Sequence, residues 1–309
     1  VLTGDWLAEL TMLPLARQKM KHGTGFARTF HQQMEQVLPT CLEKGIKVVS
    51  NAGGLDPVAA AQAIRDLGTG AKVASVSGDD LLPRFAEVGE EWINLDTGEP
   101  FTGHPLSANA YLGARGIVAA LEAGADVVVT GRVTDAALVI GPAAWWHGWD
   151  LDSPDTLDAL AGALVAGHVI ECGAQASGGN YAFFREVPGL EHVGFPIAEL
   201  ASDGTSVITK HPNTGGLVSP GTVTAQLLYE VGDEHYLNPD VTARFDTIEI
   251  DQVGKDRVRL SGVRGEGAPE TLKVAINYIG GFRNSMKLVL TGADTAEKAD
   301  IAVRTICGV

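Results

Sequence analysis

Cysteine is scarce: the 309-residue chain has three, Cys41, Cys172 and Cys307, far apart in sequence. No Cys-x-x-Cys pair exists, which excludes a zinc knuckle and a dithiol redox motif. Few, unpatterned cysteines fit a reducing cytoplasm, the expected location. Positive charge is scarce too. The 23 Lys and Arg face 38 Asp and Glu, for a net charge of −15. Nucleic-acid binding rests on basic neutralisation of phosphates, so this balance argues against it, and equally against an anionic membrane surface. A small anionic ligand stays compatible, because a local pocket can oppose the global field. No apolar run reaches membrane-spanning length and no signal peptide is visible. The chain starts without Met at a structured segment, so a preceding segment is expected. Gly-x-Ser-x-Gly, P-loop, His-Glu-x-x-His and Gly-x-Gly-x-x-Gly signatures are all missing, which argues against α/β-hydrolase, kinase, zincin and ordinary nicotinamide-enzyme readings. No zinc or nicotinamide cofactor is therefore expected.

Strands and helices alternate through the first half. Residues 5–20 read as a helix. Phe26, Phe30, Met34, Leu38 and Cys41 recur at three- and four-residue steps, an amphipathic helix ended by Gly45. The runs 46–50, 73–77 and 126–130 read as buried strands. Asp56-Pro57 opens a helix that Gly68 ends, and Asp79-Asp80 opens a short one. Residues 92–101 read as an irregular hairpin. Ser107 is expected to cap a helix running to Ala123, and a helix after Gly131 is expected to stop at Gly141-Pro142. These repeats predict an α/β fold with a mostly parallel, doubly wound sheet over residues 1–152. Ser153-Pro154-Asp155 begins a long helix with His168 on its apolar face. Strands are then expected at 247–251, 257–263, 272–278 and 286–290, with a last helix over 293–307. The second part, 153–309, reads as α+β, and the two parts are expected to form one cleft together.

Ligands of doubly wound folds sit at the carboxyl ends of the strands. Three such ends carry glycine with polar groups: Asn51-Ala52-Gly53-Gly54, Ser77-Gly78-Asp79-Asp80 and Thr130-Gly131-Arg132. The segment from Lys210 to Pro220 adds a fourth feature. There Lys210, His211, Thr214, Gly215 and Gly216 precede Ser219, an expected N-cap, and Pro220, an expected first helical residue. Amides of glycines ahead of a helix can approach an anion closely, although a plain strand-to-helix turn reads equally well. Asp79 could bind Mg²⁺, act as general base, or simply favour a helix first turn. Arg132 could grip a carboxylate in a bidentate pair or bond to Asp135 three residues on. Asn109 and Tyr111 suit either substrate contacts or supporting roles. Glu171 is a candidate acid/base group with Gln175 as a polarising donor. Cys172 sits at a helix C-terminus, which disfavours a thiolate nucleophile. His168 reads as a core histidine, His104 as a loop residue, and His211 as the histidine best placed for proton transfer. The cluster Trp145-Trp146-His147-Gly148-Trp149 reads as structural packing, with a lid or subunit contact as the alternative.

Taken together, several of these segments resemble the acyclic terpene utilisation (AtuA) family. They are Leu2-Thr3-Gly4-Asp5-Trp6-Leu7-Ala8-Glu9-Leu10-Thr11-Met12, Asn51-Ala52-Gly53-Gly54, Gly78-Asp79-Asp80-Leu81, Ser107-Ala108-Asn109-Ala110-Tyr111-Leu112-Gly113, Thr130-Gly131-Arg132-Val133, Glu171-Cys172-Gly173 and Thr209-Lys210 through Thr214-Gly215-Gly216. The resemblance covers nearly the whole chain. It implies an earlier strand with a Gly-rich segment ahead of Leu2 and a further small C-terminal domain. It also implies breakdown of branched citronellol- or geraniol-like compounds processed as coenzyme A thioesters. The step it suggests is a lyase or hydrolase reaction on a branched 3-hydroxyglutaryl-type thioester. No catalytic residue is carried over from it.

The expectation is therefore a homo-oligomeric catabolic enzyme acting on a branched, carboxylated acyl-CoA thioester or related acid. Arg132 and Lys210 would hold the anion. Amides of Gly53, Gly54, Gly215 and Gly216, with Asn51, Asn109 and Thr214 beside them, would line the site. Asp79, Glu171 or His211 would move the proton. A non-catalytic ligand-binding or scaffolding subunit is the alternative, and a metal-dependent hydrolase using Asp79 or Asp80 is a third.

Overall fold

Short β-branched runs lie side by side when both their faces can be buried. In the computed structural model, which describes residues 1–88 and 92–308, they form a parallel four-stranded sheet. Its strands are β1 (Leu2–Gly4), β2 (Val48–Ser50), β3 (Val73–Val76) and, later in the chain, Val127–Thr130, in spatial order β1, β2, Val127–Thr130, β3. Helices α1 (Met12–His22) and α2 (Arg28–Glu43) connect β1 to β2, and α3 (Pro57–Arg65) connects β2 to β3. After β3 come α4 (Phe85–Val88), β4 (Pro105–Ala110), α5 (Arg115–Glu122), β5 (Val127–Thr130) and α6 (Ala137–His147). Strand periodicity divides the core. Val48, Val127 and Val129 pack with Phe30, Met34, Leu38 and Ile64 on one side of the sheet. Val49 and Val128 face Ile117, Leu121, Leu138 and Ile140 on the other. This is the mixed α/β architecture that the alternating pattern predicts.

The long helix α7 (Leu157–Glu171) is buried at every residue from 159 to 169, so it reads as apolar all round. It packs against α6 on one side and against antiparallel strands on the other. Those strands are β6 (Pro196–Leu200) and β7 (Ser206–Lys210), then, after α8 (Pro220–Leu227), β8 (His235–Leu237), β9 (Thr242–Arg244), β10 (Glu249–Gly254), β11 (Arg257–Ser261) and β12 (Arg264–Glu266). They form one sheet ordered β10-β11-β7-β6 and another ordered β12-β9-β8. Ser219 caps α8 by accepting from the Thr222 amide at 3.2 Å, and Asp56 caps α3 by accepting from the Ala59 amide at 3.1 Å. Both caps follow the sequence prediction.

Four local expectations are corrected. The first helix starts at Met12 rather than Asp5, because the Asp5 carboxylate accepts from the Leu7 amide and holds that stretch in a turn. Ser107 caps no helix. It lies in β4, paired antiparallel with β13 (Val274–Tyr278). Helix α5 is instead held at its start by Asp240, whose carboxylate accepts from the Ala114 amide at 2.9 Å across 126 positions of sequence. Helix α6 runs through Gly141-Pro142, since burial on all sides outweighs the hydrogen bond that Pro142 cannot donate. Residues 286–290 alternate as a strand would, but they pair with nothing among the described residues and form none.

Residues 1–278 make one compact unit, and a second begins at Ile279. The second holds α9 (Thr295–Cys307). No helix among the described residues is long and apolar enough to cross a membrane.

Gly53 sits where two backbones close on it. A Cβ there would lie 2.4 Å from the Thr130 carbonyl oxygen and 2.7 Å from Pro57 Cα. Gly53→Ala therefore forces the β2 and β5 ends apart. It should destabilise the chain by about 1–3 kcal/mol in denaturant titration. A Cβ at Gly232 meets nothing within 4 Å, and Gly232→Ala should fall within about 0.5 kcal/mol of the wild type.

Candidate active site

The carboxyl ends of β1, β2, β3 and β5 lie along one edge of the parallel sheet, and Arg132 ties several of them together. Its backbone N–H donates to Asp79 Oδ2 at 2.9 Å, and the same oxygen accepts from Asn109 Nδ2 at 2.9 Å. Its guanidinium donates to the Leu7 carbonyl and lies over the Tyr111 ring, 4.2 Å from the centroid. Nη2 reaches Asp135 Oδ1 at 3.6 Å and Glu9 Oε1 at 3.9 Å. Gly131 permits this docking, since a Cβ there would stand 2.2 Å from Asp79 Oδ1. Beside this, Asn51 links β2 to β1: its Oδ1 accepts from the Trp6 amide at 2.7 Å and its Nδ2 donates to Asp5 Oδ1 at 2.6 Å. Asp79, Asn109, Arg132 and Asn51 are thus brought into one fabric of polar contacts. The alternative reading of Asp135 as partner to Arg132 describes the observed pair.

Acidic side chains converge on this fabric. Asp135 feels the charges of Asp5, Glu171 and Glu9 as well as Arg132. Exposure grades inward, from 60% at the Glu9 side chain through 29% at Asp135 to 7% at Glu171 and 2% at Arg132. The group therefore has an open rim and a closed floor. Burial, joined by the neighbouring carboxylates, pushes Asp135 up to about 8. Burial likewise raises Glu171, opposed by His168. Burial raises Asp79, opposed by the Arg132 amide and Asn109. Burial would raise Glu9 too, but the Tyr111 hydroxyl, which donates to it at 2.7 Å, and the cations Arg132 and Lys273 bring it below its ordinary value. Asp135 Oδ1, Glu171 Oε2, Arg132 Nε and Thr134 Oγ1 are buried and make no hydrogen bond. Such atoms are costly unless something uses them. Cys172, next to Glu171, has its thiol pushed up to about 11 by burial and then by Glu171, which leaves it protonated and a poor nucleophile.

The Lys210 loop is built differently from an open anion cradle. Lys210 Nζ donates to the Thr214 carbonyl at 2.9 Å and lies 3.6 Å from Asp256 Oδ2. The Thr214 hydroxyl donates to the His211 carbonyl at 2.7 Å. The Gly215 amide donates to the His192 carbonyl at 2.9 Å and the Gly216 amide to the Pro188 carbonyl at 2.7 Å. These groups are engaged with the protein's own backbone, and His211 is exposed. The Gly54 amide is engaged as well, donating to the Asn51 carbonyl at 3.1 Å. Among the described residues, no hydrogen bond or ion pair joins the Lys210 loop to Asn51, Gly53, Gly54, Asp79 or Arg132. What the loop does support is the turn after α7: the Leu217 amide donates to the Ser177 carbonyl at 2.9 Å. A groove of about 330 Å³ beside it is lined by Gly216, Leu217, Val218, Lys255 and Asp256 among others.

Among the described residues, no group of three or more His, Cys, Asp or Glu is arranged to hold a metal ion. Asp80 turns away from Asp79 and accepts from the Leu82 amide at 3.0 Å. His104 is exposed, and Gln175 Oε1 is buried without a partner. Of the tryptophans, Trp149 donates to the Ser202 carbonyl at 3.0 Å, while Trp146 is largely exposed. Asp5 and Glu9 were not among the sequence candidates. Both lie in the segment from Leu2 to Met12 that carries the family resemblance, but they follow a three-residue strand, too short to register as periodicity.

The raised carboxyl of Asp135 sets a pH dependence of stability. The unfolded chain releases this proton near 3.8 and the folded chain near 8. Between those values the native state binds the proton and the unfolded state does not, so stability falls as pH rises through the window. Asp135→Asn should remove this contribution. From about pH 5 to about pH 8 the wild type should lose at least about 1 kcal/mol more stability than the variant, read from denaturant midpoints.

No curated protein and no solved structure matches the chain. A protein-family model, described as acyclic terpene utilisation family protein AtuA, matches residues 1–308. The match spans the strand ends, the carboxyl cluster and both units, and on it the chain belongs to the acyclic terpene utilisation family AtuA.

Proposed function

We propose that this chain catalyses an acid–base lyase step on a branched, carboxylated acyl-CoA thioester in the breakdown of acyclic terpenoids. Glu171 is the base and Asp135 the acid. The observation that carries the reading is the pair itself: two carboxyls, each raised by burial and each with a buried oxygen that makes no hydrogen bond, at the carboxyl edge of a parallel sheet. Two neighbouring titratable groups in contrasting surroundings mark an acid and a base. Asp135, raised to about 8, carries a proton at neutral pH. Glu171 faces His168, which favours its ionised form. In the forward step Glu171 Oε2 takes the proton from the carbon next to the thioester carbonyl. That C–H electron pair becomes the new C=C bond as the neighbouring C–O bond breaks. The Asp135 proton leaves with the hydroxyl as water. Arg132 fixes Asp135 and Glu9, since its guanidinium is already bound to the Leu7 carbonyl. Lys273, 3.8 Å from Glu9 and more than half exposed, is the rim cation suited to a substrate carboxylate. Family membership supports the branched, terpenoid-derived skeleton.

The test is turnover of branched 3-hydroxyacyl-CoA thioesters by the full chain, followed as loss of water from the substrate. Glu171→Gln and Asp135→Asn should each lower kcat by about 10²–10⁴-fold. The wild-type rate should fall on the alkaline side as Asp135 titrates at about 8, with Asp5, Glu9, Arg132 and Glu171 as its charged neighbours. Undiminished turnover in Glu171→Gln contradicts the assignment. Thioester binding without turnover under any condition assigns a ligand-carrying role instead, and release of free coenzyme A assigns a hydrolase.

A further inference from the structure

His168 is the least exposed histidine neighbour of this site, 1% accessible inside α7, and the acid–base scheme leaves it unused. Both of its ring nitrogens have partners. Nε2 lies 3.3 Å from the Leu227 carbonyl oxygen, and Nδ1 lies 3.1 Å from Glu171 Oε1. A carbonyl oxygen can only accept, so Nε2 must carry a hydrogen. That settles the ring: in the neutral form Nδ1 has a lone pair. A lone pair facing a carboxylate oxygen is repulsive, so a proton must lie between Nδ1 and Oε1. It belongs either to a protonated Glu171 or to an imidazolium. The rings of Tyr236 and Phe245, with centroids 5.2 and 5.8 Å away, pack the imidazole and fix its plane. The Leu227 carbonyl closes the far end, and the Gln226 side chain donates to the His168 carbonyl at 3.4 Å.

The geometry points to His168 as a positioning residue that shares one proton with Glu171 and keeps the opposite oxygen, Oε2, available as the base. This rests on the proposed role of Glu171. In the working form the imidazolium donates from Nδ1 to Oε1, and the carboxylate takes the substrate proton on Oε2. The substrate proton is the one the pair gains, and until then the desolvated carboxylate charge is balanced by the cation behind it. The charged and titratable groups that face the pair are Asp5 after β1, Asp135 before α6, Cys172 after α7, Glu230 after α8 and Tyr236 in β8. Three are carboxylic acids, one is a thiol and one a phenol, and none is a cation. His168 is thus the cation on Glu171's own helix that can hold it ionised.

The first test reads protonation without activity, by ¹⁵N-histidine NMR of the full chain. In the wild type Nε2 of His168 should carry a hydrogen towards the Leu227 carbonyl, and a second proton should sit on Nδ1 towards Glu171 Oε1. In Glu171→Gln, Nδ1 should lose its proton while Nε2 keeps it. A neutral ring with hydrogen on Nδ1 and a bare Nε2, or a spectrum indifferent to Glu171→Gln, overturns the inference. The second test is the pH profile of kcat/KM. His168→Leu should move the acidic limb to higher pH, since Glu171 then ionises without its cation. His168→Asn, a neutral donor to the same oxygen, should move it less. Equal rate losses in both variants with the limb unmoved would make His168 merely structural. If Glu171→Gln leaves turnover intact, the acid–base reading fails on its own, whatever the NMR result.

Discussion

The structure depends on burying one guanidinium. A charge taken out of water needs close opposite charge or good acceptors, or the cost runs to several kcal/mol. Arg132 meets that demand with the Leu7 carbonyl, the carboxylates of Asp135 and Glu9, and the face of Tyr111. Those partners come from the segment after β1, the turn before α6 and the end of β4. The Arg132 backbone adds the end of β3 through Asp79. Satisfying one cation therefore places four chain segments. It also explains why so many acids can share a small volume at the sheet's edge. Once Arg132 is neutralised, the buried carboxyls Asp135, Glu171 and Asp79 lose solvent faster than they gain cations, and burial raises all three, while Glu9 at the exposed rim is held down by Tyr111, Arg132 and Lys273.

Much of the scaffold was legible from residue pattern. Val48, Val49 and the valines 127–129 read as buried strands because both faces must be covered. Asp56-Pro57 and Ser219-Pro220 read as helix starts because capping is local chemistry. The failures share a cause: the deciding partner is distant in sequence. Asp240 starts α5 from 126 positions away, which leaves Ser107 free to join a strand with Asn277. The all-round burial of α6 carries it through Pro142. No window of a dozen residues contains either fact.

The site was half legible for the same reason. Asp79, Asn109, Asn51 and Arg132 follow strand ends, where polar residues beside glycine are conspicuous, and the fold does gather them. Glu171 stood out as an acid at the end of a buried helix. His168 looked like a core histidine, and it is buried; what the pattern could not show is that its two nitrogens meet a carbonyl and a carboxyl. The Lys210 loop looks different once folded than its composition suggests. Paired glycines before a helix suit an anion, yet here their amides donate to the carbonyls of His192 and Pro188. Glycine in that loop serves close backbone packing, since a Cβ at Gly215 would meet the Gly189 carbonyl oxygen at 1.8 Å.

The central proposal is spatial: the acid–base step takes place over Asp135 and Glu171, not beside Lys210. Its most direct test is an experimental structure of the full chain with a branched acyl thioester analogue that cannot eliminate. The account predicts the thioester carbonyl region within hydrogen-bond reach of Glu171 Oε2 and Asp135, with the chain entering past Glu9. An analogue seated instead in the groove of Gly216, Leu217, Lys255 and Asp256, with the carboxyl cluster untouched, would contradict it.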